Sequence, residues 1–351
     1  MNYSLIEFFL ALIVLIIGLS VIIWSIYITL FLPTQWFNPI GKTILITGCD
    51  SGIGLEIAKH LHRKGSNIIA TVLSNESEGA KQLREKCRSD RMFLIEMNLT
   101  ELKKSNDSID RIGEILTANK FDLYALINNA GVCAFGEFDF LTFDQIEHQI
   151  NVNFAGSIYL IKHMLPFLIK AKASDIILLT GRIINVSSVN ALVPFPGIGV
   201  YSATKKALEC FSESLAMELS RFDVQVLSLR LGDYVKLTKI MSKHDEIIRE
   251  QSKNMDHGRK KLYENYFERY HQSVMKNKGM FSPKSFEQSS LFDDFDEVCY
   301  AVKPRNNLIS ATFNYKLIIY ALHWLPSTIR SYVLINFSNK IQNQTSSTFE
   351  N

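Results

Sequence analysis

From residue 42 onward, short apolar runs alternate with longer amphipathic stretches. The runs KTILIT (42–47), NIIATVL (67–73), MFLIEMN (92–98), FDLYALINN (121–129), GRIINVSS (181–188) and VQVLSLRL (224–231) are largely apolar, the pattern of strands buried on both faces. Gly52 to Lys64, Glu76 to Cys87, Thr142 to Lys170 and Tyr201 to Arg221 read as helices between or after them. This alternation predicts an α/β fold, a doubly wound, Rossmann-type parallel sheet with helices on both faces. Two regions break it. ASDIILLT (173–180) is a second strand-like run just ahead of 181–188, so two segments compete for one strand position. Residues 236–290 are charged and read as a helical substrate lid. Their stripe Tyr263, Tyr266, Phe267 and Tyr270 points to packing against the sheet domain ahead of ligand contact.

The two ends depart from a soluble enzyme. No charge occurs from Phe8 to Leu32, and the first charged residue after that run is Lys42. At 1.5 Å per residue the run reaches roughly 37 Å as a helix, enough to cross a hydrocarbon core. A cleaved signal peptide and a buried core helix are the alternatives. The length, the missing basic flank and the missing small-residue cleavage site favour a retained single-pass N-terminal transmembrane helix. The positive-inside rule leans towards a cytosolic catalytic domain. Residues 1–41 are thus anchor and linker, 42–312 the Rossmann-type domain, and 313–351 an apolar segment with a polar tail. Lys316, His323, Pro326 and Arg330 interrupt that last segment, so it reads as packed or interfacial and not as a second span.

Composition narrows the function. With 351 residues and a formal net charge of +3, the chain carries scattered basic residues and no basic patch, which argues against nucleic acid as a partner. Its five cysteines are widely spaced without a CxxC pair, so neither a disulfide framework nor a metal site is expected.

The chemistry is concentrated in two stretches. TGCDSGIG (47–54) places Gly48, Gly52 and Gly54 between a strand and a helix. There a backbone must turn sharply beside a pyrophosphate, and a helix N-terminus offers N–H donors. NVSSVNALVPFPGIGVYSATKKAL (185–208) puts Tyr201 and Lys205 one helical turn apart, with Ser187 and Ser188 upstream. A phenol with a pKa near 10 is a poor base at neutral pH, and a neighbouring ammonium favours its phenolate. That pairing suits proton transfer to or from an alcohol oxygen while hydride moves.

TGCDSGIG, NNAG (128–131), NVNFAG (151–156), NVSS and YSATK occur in the order found in the short-chain dehydrogenase/reductases, which the chain resembles from about Lys42 to Ser310. Finer stretches such as HMLPFLIKAK and ECFSESLAMEL are similar to one branch: retinol dehydrogenases, membrane-bound hydroxysteroid dehydrogenases and 3-hydroxybutyrate dehydrogenase. The resemblance implies a catalytic set of Ser188, Tyr201, Lys205 and Asn153, with Ser188 preferred to Ser187 by its spacing to Tyr201. It implies cofactor contacts from Thr47, Gly48, Ser51, Gly52, Ile53, Gly54, Leu73, Asn98, Asn129, Ala130, Gly131, Tyr201, Lys205 and Gly232, with Asn128–Gly131 beside the adenine ribose. Homodimers through the helices around 142–170 and 201–221 are a further family expectation.

Three departures stand out. Val72 and Leu73 end the second strand without charge, which together with the relatives favours NAD while leaving NADP open. Asn98 stands where many relatives carry aspartate. Leu231 replaces a proline before Gly232, and Thr238 lies at a displaced spacing. The leading expectation is a membrane-anchored oxidoreductase for an apolar retinoid or steroid alcohol, in the endoplasmic reticulum or alternatively a mitochondrial membrane. A hydroxy-acid dehydrogenase is the alternative, and a non-catalytic dinucleotide-binding scaffold is the reading of another class.

Overall fold

A computed structural model describes residues 3–31, 35–102, 106–170 and 181–346. The chain divides into two compact units, residues 1–37 with 301–303, and residues 38–300 with 304–351. In the first, α1 (Tyr3–Phe31) is one continuous helix of 29 residues. Nearby, Trp36 and Ala301 form an antiparallel bridge, and the Val302 amide donates to the Gln35 carbonyl at 2.8 Å.

The second unit is built on seven strands: β1 (Thr43–Ile46), β2 (Asn67–Val72), β3 (Met92–Glu96), β4 (Leu123–Asn128), β5 (Arg182–Ser188), β6 (Gln225–Leu231) and β7 (Leu308–Ser310). They pair in the order β3-β2-β1-β4-β5-β6-β7, all parallel. The helices are α2 (Gly52–Arg63), α3 (Glu78–Lys86), α4 (Asp107–Ala118), α5 (Phe143–Ile150), α6 (Ser157–Lys170), α7 (Gly199–Leu219), α8 (His244–Asn254), α9 (His257–Asn277), α10 (Leu291–Tyr300), α11 (Phe313–Trp324) and α12 (Ser327–Ser346). One apolar core lies under α2, α3 and α10, and a second under α4, α6 and α7, so both sheet faces are covered. The strand order reverses direction between β1 and β4, and in such sheets ligands bind at the carboxyl ends beside that point.

The sheet is the doubly wound one expected, with differences that have local causes. Residues 182–188 hold the central strand position between β4 and β6. The competing run 173–180 lies outside the described residues. The stretch Thr142–Lys170 is not one helix. A π-helical turn, Asn151–Gly156, separates α5 from α6, and such bulges often mark functional sites. Helix α4 and strand β7 were not apparent in the pattern, β7 because three residues show no periodicity. Among the described residues, Phe143–Ile169 is long and apolar enough to cross a membrane, but close to half of it is buried. Leu160, Ile161, Met164 and Leu168 belong to the core, which makes it a core segment. The aromatic stripe of α9 surrounds Phe140, with Tyr263, Phe267 and Tyr270 ring centroids at 4.9, 5.1 and 5.6 Å. Helices α11 and α12 pack through Tyr315, Ile319 and Leu334 onto Ile309, Val189 and Val193, and are part of the same unit as the sheet.

Helix α7 is latched to the strands by buried polar groups. Glu209, 1% exposed, accepts from Arg230 Nε at 2.7 Å, Arg230 Nη2 at 3.0 Å and Ser187 Oγ at 2.8 Å. Asn128 Nδ2 donates to Asn185 Oδ1, whose amide in turn donates to Ser212 Oγ, both at 2.8 Å. Removing one partner of a buried ion pair leaves the other charged and desolvated. Glu209→Ala is therefore expected to lose about 3–5 kcal/mol of stability, read as a lower denaturation midpoint at unchanged slope.

Candidate active site

The glycine loop forms the floor of the site. Gly48 has φ +71°, a left-handed conformation that side chains disfavour, and a Cβ there would come within 2.8 Å of Ala130 Cα. A Cβ on Gly54 would collide with the Gly48 carbonyl and the Asn129 amide. The loop thus closes against the end of β4, and Thr47 locks the two together. Its Oγ1 accepts from the backbone N–H groups of Asn129 and Ala130, each at 3.0 Å. Asn129 Nδ2 returns a bond to the Thr47 carbonyl at 2.8 Å. Ser51 is the N-cap of α2, but its side chain caps no amide, which leaves the first-turn N–H groups for an anion.

The second wall carries the polar side chains. Alternation along β5 sends Ser187 and Ser188 to opposite faces. Ser187 is consumed by Glu209 behind the site, whereas Ser188 lines the cavity beside Tyr201 and bonds to it. Lys205 is 4% exposed, donates to the Val186 carbonyl at 2.9 Å and lies 5.9 Å from the centre of the Tyr201 ring. Its Nζ is 3.3 Å from where a Cβ on Gly131 would stand, with Asn153 Oδ1 at 3.4 Å from the same point. Asn153 is placed there by the π-helical turn. It accepts from the Val132 amide at 2.8 Å and donates to the Val132 carbonyl at 2.9 Å and to Thr204 Oγ1 at 3.2 Å. Burial pushes the Tyr201 phenol upward, Cys133 adds to the push, and the Ser188 hydrogen bond opposes it. Burial pulls Lys205 down to about 8, with Cys133 working the other way. The shift on Tyr201 thus runs against the phenolate that the Tyr201–Lys205 pairing by itself favours.

Beyond Ser188 and Tyr201 opens a cavity of about 330 Å³. Val189, Phe195, Ile198, Leu231, Ile240 and Met241 are among the apolar side chains that line it. Tyr270 also reaches it, so part of the stripe read as packing faces the ligand space as well.

The family model described as short chain dehydrogenase matches residues 42–247, more than half of the chain. The chain belongs to the short-chain dehydrogenases. Estradiol 17-beta-dehydrogenase 2 of Rattus norvegicus is 30% identical over 298 residues, covering 84% of this chain and 74% of that protein. The mitochondrial D-beta-hydroxybutyrate dehydrogenase of Mus musculus is 33% identical over 204 residues, 58% of this chain and 57% of that one. Retinol dehydrogenase 7 of Mus musculus is 29% identical over 287 residues, 82% and 85% of the two chains. The chain thus spans between about half and three quarters of the first two relatives' length. A 3-ketoacyl-(acyl-carrier-protein) reductase structure from Brucella melitensis, solved with NADH, is 22% identical with a TM-score of 0.52 over 60% of this chain and 83% of that one, a likeness in fold.

As a short-chain dehydrogenase the protein is an NAD(P)-dependent oxidoreductase acting on CH–OH groups, and its cofactor is a nicotinamide dinucleotide. The cradle of Gly48, Gly52 and Gly54 under the open N-terminus of α2 fits a pyrophosphate, because each site a Cβ would fill is close to backbone. Thr238, displaced in sequence, nonetheless sits over this loop, 3.3 Å from a Cβ on Gly52. Gly232 lines the cavity and donates to the Ser310 carbonyl at 2.8 Å. Ile53 lines it too.

Asn128 stands elsewhere than expected, and Asn98 and Leu73 make bonds of their own within the protein. Asn128 is not beside a ribose, since it is 2% exposed and spent on Asn185 inside the sheet. Asn98 is exposed, and its Oδ1 caps the Thr100 amide at 3.1 Å. Leu73 is 70% exposed, and its amide donates to both Asp50 oxygens at 2.9 and 3.0 Å. Asp50, overlooked in the sequence, thereby puts a carboxylate at the end of β2. Asp233 was overlooked as well: it accepts from Ser282 Oγ at 2.6 Å and the Phe281 amide at 2.9 Å, tethering the loop after α9 to the end of β6. An acidic residue directly after Gly232 was the available signal. Gly54→Ala is expected to weaken NADH binding about tenfold or more, equivalent to 1.4 kcal/mol, with the circular dichroism spectrum unchanged. Fluorescence titration of the purified variant checks it.

Proposed function

We propose that the protein is a membrane-bound dehydrogenase/reductase that interconverts an apolar alcohol and its ketone or aldehyde, of retinoid or steroid class, with NAD as cofactor. The observation that carries the reading is the cavity: most of its exposed lining is apolar, and Ser188 and Tyr201 stand together among its polar residues. Such a pocket holds a lipid body and orients its single oxygen. Ser188 holds that oxygen, and Tyr201 gives it a proton in reduction or takes one in oxidation. Lys205, backed by Asn153 and Gly131, keeps a positive charge near the phenol and holds the ribose. The nicotinamide, when bound, supplies or accepts the hydride. The Asp50 carboxylate at the end of β2 supports NAD, because it would repel a 2′-phosphate there.

The named relatives include a retinol and an estradiol dehydrogenase. The apolar α1 supports a single-pass anchor, with the endoplasmic reticulum as the location and a mitochondrial membrane as the alternative. Exposed Phe143, Ile150 and Met217 on α5 and α7 support a homodimer through those helices. A second reading, a hydroxy acid as substrate, is favoured by one observation: Lys278 borders the cavity and would pair with a carboxylate.

Two measurements test the proposal. Tyr201→Phe is expected to lose roughly 10²–10⁴-fold in turnover while retaining NADH binding. Absorbance at the reduced-nicotinamide band with retinol, hydroxysteroids and 3-hydroxybutyrate checks this and separates the two readings. Turnover of 3-hydroxybutyrate alone sinks the lipid substrate. The second measurement is the pH profile of carbonyl reduction by the wild type. Lys205 is charged below its depressed pKa of about 8 and neutral above it. Reduction should therefore decline as pH rises through about 8, since the neutral amine no longer supports the proton donor. A profile flat to pH 10 contradicts this role.

A further inference from the structure

The C-terminal helices present a surface that the dehydrogenase chemistry does not use. Between Phe313 and Phe337, ten large apolar or aromatic side chains are exposed, among them Phe313, Leu317, Trp324, Tyr332 and Ile335. Single exposed apolar residues are ordinary, but such a concentration on one helical hairpin marks an interaction surface. The opposite sides of α11 and α12 are already occupied, with Tyr315, Ile319 and Leu334 buried against β7 and the chain after β5. The exposed side chains are therefore surplus to the fold.

Charge identifies the occupant. From Phe313 to Ser346 there is no acidic residue, while Arg330 and Lys316 are basic, the latter also within reach of Asp294 and Glu297 of α10. Trp324, Tyr320 and Tyr332 add rings with a polar edge, the type that collects at the boundary between headgroups and acyl chains. Basic and aromatic groups around an apolar face complement an anionic lipid surface. The hairpin also borders the active site, because Tyr315 of α11 and Phe337 and Ser338 of α12 line the cavity. Phe337 is at the same time 38% exposed, so it faces both the cavity and the outside.

We propose that the exposed face of α11–α12 docks into the surface of an anionic bilayer and that the cavity opens beside Phe337 to substrate arriving from that bilayer. The entry part rests on the reading above that the substrate is an apolar alcohol. The hairpin lies in the plane of the interface, its apolar side chains roughly 5–10 Å below the headgroups.

Trp324, 81% exposed, is the reporter. The full chain with Trp24→Phe and Trp36→Phe keeps it as the single tryptophan. This protein is reconstituted into phosphatidylcholine–phosphatidylserine vesicles, some carrying lipids brominated near the headgroup. Docking predicts that Trp324 loses roughly half of its emission to those lipids and resists quenching by aqueous iodide. Leu317→Glu with Ile335→Glu should reverse both effects while the protein still floats with the vesicles. Trp324 quenched by iodide but not by brominated lipid overturns the proposal. Trp324 shielded from both overturns it too, because protein, either a second copy or another segment of this chain, then covers the face. Flotation reports the anchor and Trp324 reports the hairpin, while the substrate assay stands apart from both. A failure of one is therefore distinguishable from a failure of the others.

Discussion

The site depends on Glu209 more than on any residue that would touch substrate. A carboxylate buried to 1% exposure is stable only when its oxygens are filled, and here Arg230 of β6 and Ser187 of β5 fill them. The pair ties α7 to two adjacent strands four residues beyond Lys205. The Asn128–Asn185–Ser212 chain adds a second tie from β4 and β5 to the same helix. A helix that carries both Tyr201 and Lys205 is thereby fixed in rotation and in height against the strand that ends in Ser188. Apolar packing alone would hold it near the sheet but would tolerate slippage, whereas directional bonds from β5 and β6 do not.

From that fixed helix the electrostatics follow. Tyr201 and Lys205 are both short of solvent, and burial drives them in opposite directions, the phenol upward and the amine downward. Each move favours the neutral form, and together they drive the two proton affinities apart: the phenol holds its proton more tightly and the amine less. The phenol is thereby kept as a proton donor, and the Ser188 hydrogen bond works against the burial. Asn153 stabilises the arrangement from the opposite wall, where the π-helical turn breaks the helix and turns its amide onto the Val132 backbone.

What could be read from the chain divides along physical lines. The six longer strands were legible because they are largely apolar, five of them from burial on both faces, and the glycine loop because its close approaches exclude side chains. Ser188 was separable from Ser187 only by resemblance, and the structure supplies the physical reason, alternation along β5. Asp50 and Asp233 were not legible. Their partners, the Leu73 amide and residues 281–282, are remote in sequence, and an acidic residue in a loop has no periodicity to betray it. Asn128 was misplaced for a related reason: a buried asparagine in a strand looks the same whether it faces a ligand or another asparagine. Thr238 was read as displaced by residue spacing, yet the short 3₁₀ turn Val235–Leu237 carries it back over Gly52.

A mostly apolar pocket has a consequence for selectivity. Where its walls are apolar, a ligand is judged by shape and volume. Apolar walls discriminate weakly, at about 1–3 kcal/mol for a methylene group gained or lost. Strong rejection needs a buried polar group left without a partner by the wrong substrate. Ser273 and Lys278 are polar residues of the lining besides Ser188 and Tyr201. Selectivity at this cavity then rests on its few polar side chains added to the shape of its apolar walls.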